Sequence, residues 1–225
     1  NPEWDSTLGI FHGLSTSTLE ETLQANPDCS GIFVLNPTYF GVVPDISALT
    51  NLCHAFGKAI LVDEAHGPHF HFSRNFPLSA EDAGADTITQ STHKILSALS
   101  QGAVLHINSA RISEAKVRKA LQVIQTTSPN FAIMASIDLA RKQMMTAEGR
   151  NLIQNMYDLA LQARQRLKEI SGINLLERPK QKIAGTGFYD LDETKIVIDV
   201  KGLGFSGYEI LSFLNREFGI QPELA

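Results

Sequence analysis

Cysteine is scarce: two in 225 residues, alongside one tryptophan and four methionines. Two cysteines cannot staple a chain of this size, so a disulfide scaffold is excluded. Charge of one sign is scarce too. Nineteen Lys and Arg stand against 24 Asp and Glu, a formal charge of −5 with no basic run, which argues against nucleic acid as the main partner. Long apolar runs are missing. The longest stretch without an acidic or basic residue, Ala120 to Ile137, contains Gln122, Gln125, Thr126, Thr127, Ser128, Pro129 and Asn130, so it is no membrane span. The opening Asn1-Pro2-Glu3-Trp4 has neither an initiator Met nor a signal-peptide pattern. The last residues, Gly219 to Ala225, read as the start of a strand. Both ends lead us to expect a longer protein of which this is a part.

What is present is ordinary for a globular chain: 43% hydrophobic and 19% charged residues, enough for a sizeable core in one or two domains. Ser17-Thr-Leu-Glu20 has the spacing of a capping box and predicts a helix start. Gly31 to Asn36 and Ala59 to Val62 are continuous apolar runs of the buried-strand type, and Ala85 to Thr89 and Ala103 to Ile107 add two more strands. Between them, Ile46, Leu49, Leu52, Cys53 and Phe56 recur at helical spacing until Gly57. A helix over 113–125 follows, then a helical region over 130–170 broken near Gly149. Strands are expected at 183–189 and 195–200, and Ser206 to Glu209 is a second capping box opening a helix to about 217. Alternating strand and helix predict an α/β fold with a mainly parallel sheet flanked by helices, followed by the start of a smaller α+β domain. The composition shift at 171–182 marks that transition. We divide the chain into 1–145, the large domain, and 146–225, a connecting helix with part of the small domain.

In open α/β sheets ligands bind at the carboxyl ends of the strands. Three such ends carry polar residues: Asn36 to Gly41, Asp63 to His69, and Gln90 to Lys94. Lys94 is a candidate Schiff-base amine, with Ser91, Thr92 and His93 as donors suited to a phosphate. Asp63 ends a buried strand and needs a cationic partner, a protonated pyridine nitrogen or a salt bridge. An aspartate and, about thirty residues later, a lysine with phosphate donors beside it fit pyridoxal phosphate.

These residues carry a resemblance. The segment TQSTHKILSALSQG (Thr89 to Gly102) resembles the lysine signature of the ornithine/lysine/arginine decarboxylase family, and VDEAHGPH (Val62 to His69) resembles that family's pyridine-aspartate segment in its bacterial arginine/lysine branch. NPTYFGV (Asn36 to Val42) and QTTSP (Gln125 to Pro129) match in order. The likeness is strong from about Gly9 to Gln125 and looser beyond. It implies the fold type of aspartate aminotransferase and pyridoxal 5'-phosphate as cofactor. It implies roles: Lys94 as Schiff-base lysine, Asp63 on the pyridine nitrogen, Ser91 and His93 on the phosphate. It sets His66 near the phenolic oxygen and Thr38 beside the ring. It further implies a homodimer or larger homo-oligomer with the active site at the subunit interface, where Thr127 and Ser128 would reach a neighbour. The implied reaction turns arginine, lysine or ornithine into agmatine, cadaverine or putrescine with loss of carbon dioxide, and Lys94 or His66 returns the proton. The family's upstream phosphate loop and ring-stacking histidine fall outside this sequence, as does the end of its small domain, so these residues alone are expected to be inactive.

Glu64, Glu209 and Glu223 are candidates for the substrate's distal cation. Three rival readings stand beside the decarboxylase. His66, His69 and His71 with Asp63 and Glu64 have the density of a metal-dependent hydrolase site, against a reading as loop packing. A non-catalytic regulatory homologue would not need Lys94 and Asp63. An aminotransferase or aldolase-type lyase would use the same cofactor, and an aminotransferase wants a late arginine, here Arg178 or Arg216. Cys29 and Cys53 read as reduced core residues; with no signal and a cytosolic coenzyme, the expected compartment is the cytoplasm.

Overall fold

A computed structural model of the chain describes residues 2–223. Two short paired strands, β1 (Trp4–Asp5) and β2 (Ile10–Phe11), precede helix α1 (Thr16–Ala25). The cap of α1 is Ser15, whose hydroxyl accepts from the Thr18 amide. Ser17, the expected cap, is already inside the helix; Ser15 has the extended backbone that lets a cap oxygen turn onto the first turn. Next come β3 (Gly31–Leu35), β4 (Val42–Val43), α2 (Ile46–Ala55), β5 (Ala59–Asp63), β6 (Thr87–Gln90), the one-turn α3 (Thr92–Ile95) and β7 (Val104–Ile107).

The central sheet has the order β3-β5-β6-β7. The first three strands are parallel, as the apolar runs predict, and β7 is antiparallel to β6. A parallel return needs a crossover of a dozen or more residues, usually built on a full helix. Residues 91–103 supply only one helical turn and a reversal at Gln101, whose φ is 73°, so the chain folds straight back. Strand alternation sends Val34, Val62 and Ile88 to one face, where Leu19 and Leu23 of α1 and Leu49 and Cys53 of α2 cover them. The other face carries Phe33, Leu35, Leu61, Asp63 and Thr89, and Phe33 remains 66% exposed. Asp63 therefore projects from the open side of the sheet.

The chain continues through α4 (Glu114–Ile124), capped by Ser113, then α5 (Phe131–Met145) and α6 (Ala147–Lys168). The break between the last two is at Thr146, slightly before the expected Gly149. Thr146 caps α6 by accepting from the Gly149 amide. A Cβ on Gly149 would stand 1.9 Å from the Gln143 carbonyl oxygen, so only glycine fits that close approach.

Three short strands and a helix complete the fold: β8 (Asn174–Leu175), β9 (Asp190–Leu191), β10 (Ile198–Asp199) and α7 (Gly207–Phe218). The strand expected at 183–189 does not form. Gly185 at φ 76° and a turn from the Thr186 amide to the Ile183 carbonyl interrupt it, and pairing starts only at Asp190, opposite Val43. Of 195–200 only Ile198 and Asp199 pair, with β8. The Ser206–Glu209 capping box is present in full. Residues 219–223 form no strand, and 224–225 lie outside the described residues. Pairing of β9 with β4 brings the late chain against the loop after β3, over a cluster of Ile10, Val42, Leu176 and Leu191.

Candidate active site at the ends of two parallel strands

Strands β5 and β6 end side by side, with Asp63 opposite Thr89. Each then turns into a segment rich in polar groups. One oxygen of Asp63, Oδ1, accepts from the Ala65 amide at 3.0 Å. Past the end of β6, the hydroxyl of Ser91 caps nothing, while Thr92 Oγ1 donates to the Gly102 carbonyl at 2.9 Å. His93 Nδ1 also meets that carbonyl, at 2.8 Å, so Nδ1 carries the proton. Lys94 is exposed, and its Nζ lies 3.2 Å from His66 Nε2.

His66 is the hub. Its other nitrogen, Nδ1, lies 3.2 Å from Nζ of Lys195. Tyr39 packs edge-on against the ring at 5.1 Å, and its hydroxyl donates to Glu223 at 2.6 Å. Burial, then Lys195 and Lys94, push His66 down to about 4, against a smaller upward pull from Glu223 and Asp63. The imidazole is neutral at neutral pH. Thr38, expected beside a bound ring, is buried, and its hydroxyl accepts from the Val42 amide at 3.2 Å in the turn leading to β4.

Neighbouring residues that the sequence nominated have other occupations. Glu64 points away from the site into the protein, fully buried, and accepts from Asn36 Nδ2 (2.9 Å), the Ala80 amide (2.7 Å) and Gln90 Nε2 (2.7 Å). Burial outweighs those donors and pushes its carboxyl up to about 7. Glu209 is spent on the α7 capping box. Of the three carboxylates considered for a substrate's distal cation, Glu223 alone stands in the His66 cluster. The three histidines of the metal reading diverge. His66 lies between two lysines, His69 is buried with Nε2 3.1 Å from Asp192 Oδ2, and His71 contacts Asp82 at the surface. Among the described residues no three His, Cys, Asp or Glu side chains are grouped to hold a metal ion. Arg178 pairs with Asp190 and Glu193, and Arg216 with Glu217. Thr127 and Ser128 lie exposed in the loop between α4 and α5.

Lys195, Tyr39 and the placement of Glu223 were not legible as a site. Lys195 reaches it because the late chain is anchored there. The Asp192 amide donates to the Gly41 carbonyl at 2.9 Å, and the buried Arg164 donates through Nη1 to the Lys195 carbonyl at 3.1 Å. The only local signal was a lysine directly after the Asp192-Glu-Thr turn. A concavity of about 700 Å³ lies elsewhere, along Leu105 to Glu114 beside the β7 edge. It contains none of these groups.

The chain is similar to several known proteins. The chain is 40% identical to the arginine decarboxylase of Bacillus subtilis over its whole length and spans 45% of that protein. It is 30% identical to the constitutive lysine decarboxylase of Escherichia coli over 74% of this chain and 25% of that one. The solved structure of that lysine decarboxylase superposes with a TM-score of 0.60 at 26% identity, covering 83% of this chain and 28% of that one. An alanine–glyoxylate aminotransferase from Nostoc superposes at 0.55 with 16% identity, over 92% and 55% of the two chains, and shows the fold alone. No described helix is long and apolar enough to cross a membrane. The model of the Orn/Lys/Arg decarboxylase major domain matches residues 1–203, and the chain belongs to that family.

Proposed function

We propose that the protein containing this chain is a pyridoxal-phosphate-dependent decarboxylase of a basic amino acid, with arginine as its substrate. The observation that carries this reading is the shared hub: His66 lies within 3.2 Å of the Lys94 amine and feels the Asp63 charge, at the carboxyl ends of β5 and β6. The donor set fits the cofactor. Asp63 projects from the open sheet face with Oδ2 not engaged by any described residue, which suits a protonated ring nitrogen. The Ser91 hydroxyl, which caps no helix, suits a phosphate, with His93 beside it. Lys94 would hold the aldehyde group.

When bound, the cofactor supplies an electron sink for the pair left behind by carbon dioxide. The protein's own residues do the rest. Asp63 keeps the ring proton in place. Lys94 would hold the cofactor, and its Nζ, as an ammonium carrying a proton given up by the incoming substrate amine, would be the group that protonates the α-carbon. His66 is a poor source for that proton: with its value near 4, about a thousandth of the rings are imidazolium at pH 7. Lys94 is thus the acid. Glu223, the remaining carboxylate in the cluster, takes the distal guanidinium or ammonium. Thr38 keeps the turn before β4 in shape and so holds Tyr39 against His66.

A homo-oligomer completes the site. Val123, Ile124 and Phe131, 80%, 79% and 73% exposed, flank Thr127 and Ser128, and such a patch suits burial against a second subunit. Full-length protein loaded with cofactor is incubated separately with arginine, lysine and ornithine, and released carbon dioxide is measured. Gas from arginine above the other two is expected. No gas from any, together with amino-group exchange to a keto acid, overturns the reading in favour of an aminotransferase.

A further inference from the structure

Three arginines of the late chain are already engaged. Arg164 donates to the carbonyls of Leu176, Glu193 and Lys195, Arg178 pairs with Asp190 and Glu193, and Arg216 with Glu217. Lys195 differs. Among the described residues its ammonium meets only Nδ1 of His66, at 3.2 Å, and the face of the Tyr39 ring, 5.9 Å from the centroid. An ammonium has three N–H donors, and the histidine contact uses at most one. Its position is nonetheless built rather than loose. Lys195 is half-buried, and its stem lies against the backbone of Gly41, where a Cβ would stand 2.8 Å from the Lys195 Cβ. Arg164 holds its carbonyl, and its amide donates to the Asp192 carbonyl at 3.0 Å. Lys94 stands on the other nitrogen of His66, also 3.2 Å away. Two lysines thus flank one imidazole, and after burial they are what holds its basicity down, to about 4. The nearby Glu223 accepts from Tyr39 rather than from either lysine.

We propose that Lys195 is the specificity residue that binds the α-carboxylate of the amino-acid substrate. This rests on the decarboxylase reading above and adds a residue to it from the far end of the chain. In an α-amino acid the amine and the carboxylate share one carbon. A substrate whose amine comes to the place of Lys94 therefore carries its carboxylate beside that place, and Lys195 lies there, across one imidazole ring from Lys94. With Glu223 on the distal cation, the three polar groups of the substrate each meet a partner around His66. A carboxylate that leaves as carbon dioxide gives up its charge to the carbon it leaves. A cation on it therefore contributes to binding more than to the bond-breaking step. Lys195 selects the amino acid over its own amine product, which has no carboxylate for Lys195 to hold.

The test uses full-length protein loaded with pyridoxal phosphate, as wild type, Lys195→Met and Lys195→Arg. Part of each is reduced with borohydride to stop turnover. Binding of arginine and of agmatine, which differ only in the carboxylate, is then measured by calorimetry. Wild type is expected to bind arginine about tenfold or more tighter than agmatine, the scale of one charged hydrogen bond. Lys195→Met should lose that preference and keep its affinity for agmatine, while Lys195→Arg should retain the preference. In the unreduced protein, Lys195→Met should raise the KM for arginine about tenfold and change kcat less. No preference in wild type, a preference that survives in Lys195→Met, or loss of both ligands together in that variant overturns the proposal. A Lys195→Met protein that keeps the preference and instead holds pyridoxal phosphate more weakly makes Lys195 a phosphate contact, and also overturns it. If wild type releases carbon dioxide from none of arginine, lysine and ornithine, the decarboxylase reading fails, and the calorimetric preference still decides the role of Lys195.

Discussion

Replacing Glu64 by Gln isolates one buried charge. Glu64 is fully buried, and burial pushes its carboxyl from an ordinary 4.5 up to about 7. Its raised value means that the folded protein binds a proton that the unfolded chain has already released between those two values. Stability from this group is therefore greatest below about pH 4.5, declines as pH rises, and is fully lost above about 7. The gap, at about 1.4 kcal/mol per pH unit, is about 3 kcal/mol. Glutamine keeps the shape and an oxygen for Asn36 and Ala80 but cannot ionise, so its stability lacks this slope. Urea unfolding of both proteins at pH 5, 6, 7 and 8 gives the difference directly, with every other titrating group common to both. The stability of Glu64→Gln relative to wild type should rise by about 2.5 kcal/mol from pH 5 to pH 8, whatever its offset. Parallel curves would refute the reasoning and mean that the three donors around Glu64 fully compensate its burial.

Other expectations follow from the same structure. Burial pushes the Asp192 carboxyl up, but His69 and Thr194 outweigh it and hold it below 3.8. Its contribution is present above pH 3.8 and is lost as pH falls through the lowered value; Asp192→Ala should cost about 3–5 kcal/mol near neutral pH in urea unfolding. Leu49→Ala, which empties a fully buried position between α2 and the sheet, should cost about 2–5 kcal/mol in the same assay. Burial pushes the Cys53 thiol up to about 11, so iodoacetamide at pH 8 should label the more accessible Cys29 first, as read by peptide mass. Early labelling of Cys53 would mean that α2 opens readily from the sheet.

Much of the site was legible because its residues follow apolar runs. A buried strand such as Ala59 to Val62 announces its own end, and Asp63 at that end could only lie at the rim of the sheet. The same logic located Lys94 one short segment beyond β6. Lys195 was not legible: it stands 129 residues from His66, and what delivers it is the pairing of β9 with β4 and a buried arginine on α6. No local pattern encodes such a meeting. Direction was harder to read than existence. The apolar run 103–107 looks the same in a parallel or antiparallel strand, and only the shortness of the connection before it settles β7. The strand expected at 183–189 failed because alternation of residue types cannot register a left-handed glycine at 185. Glu64 shows what strand alternation does make legible. It was one candidate for a substrate ligand, with the alternative that it faces away after a strand-end aspartate, and that alternative holds: adjacent residues point to opposite faces, which sends Asp63 to the open face and Glu64 to the core.

The central claim is that the amine of Lys94 is the group that takes the cofactor's aldehyde. Full-length protein is treated with one equivalent of pyridoxal phosphate, reduced with borohydride, digested, and mapped by mass spectrometry. The account predicts the label on the peptide containing Lys94, and its loss from that peptide in Asp63→Ala at limiting cofactor. Label spread over surface lysines, or concentrated on Lys195 with Lys94 unmodified, would contradict it.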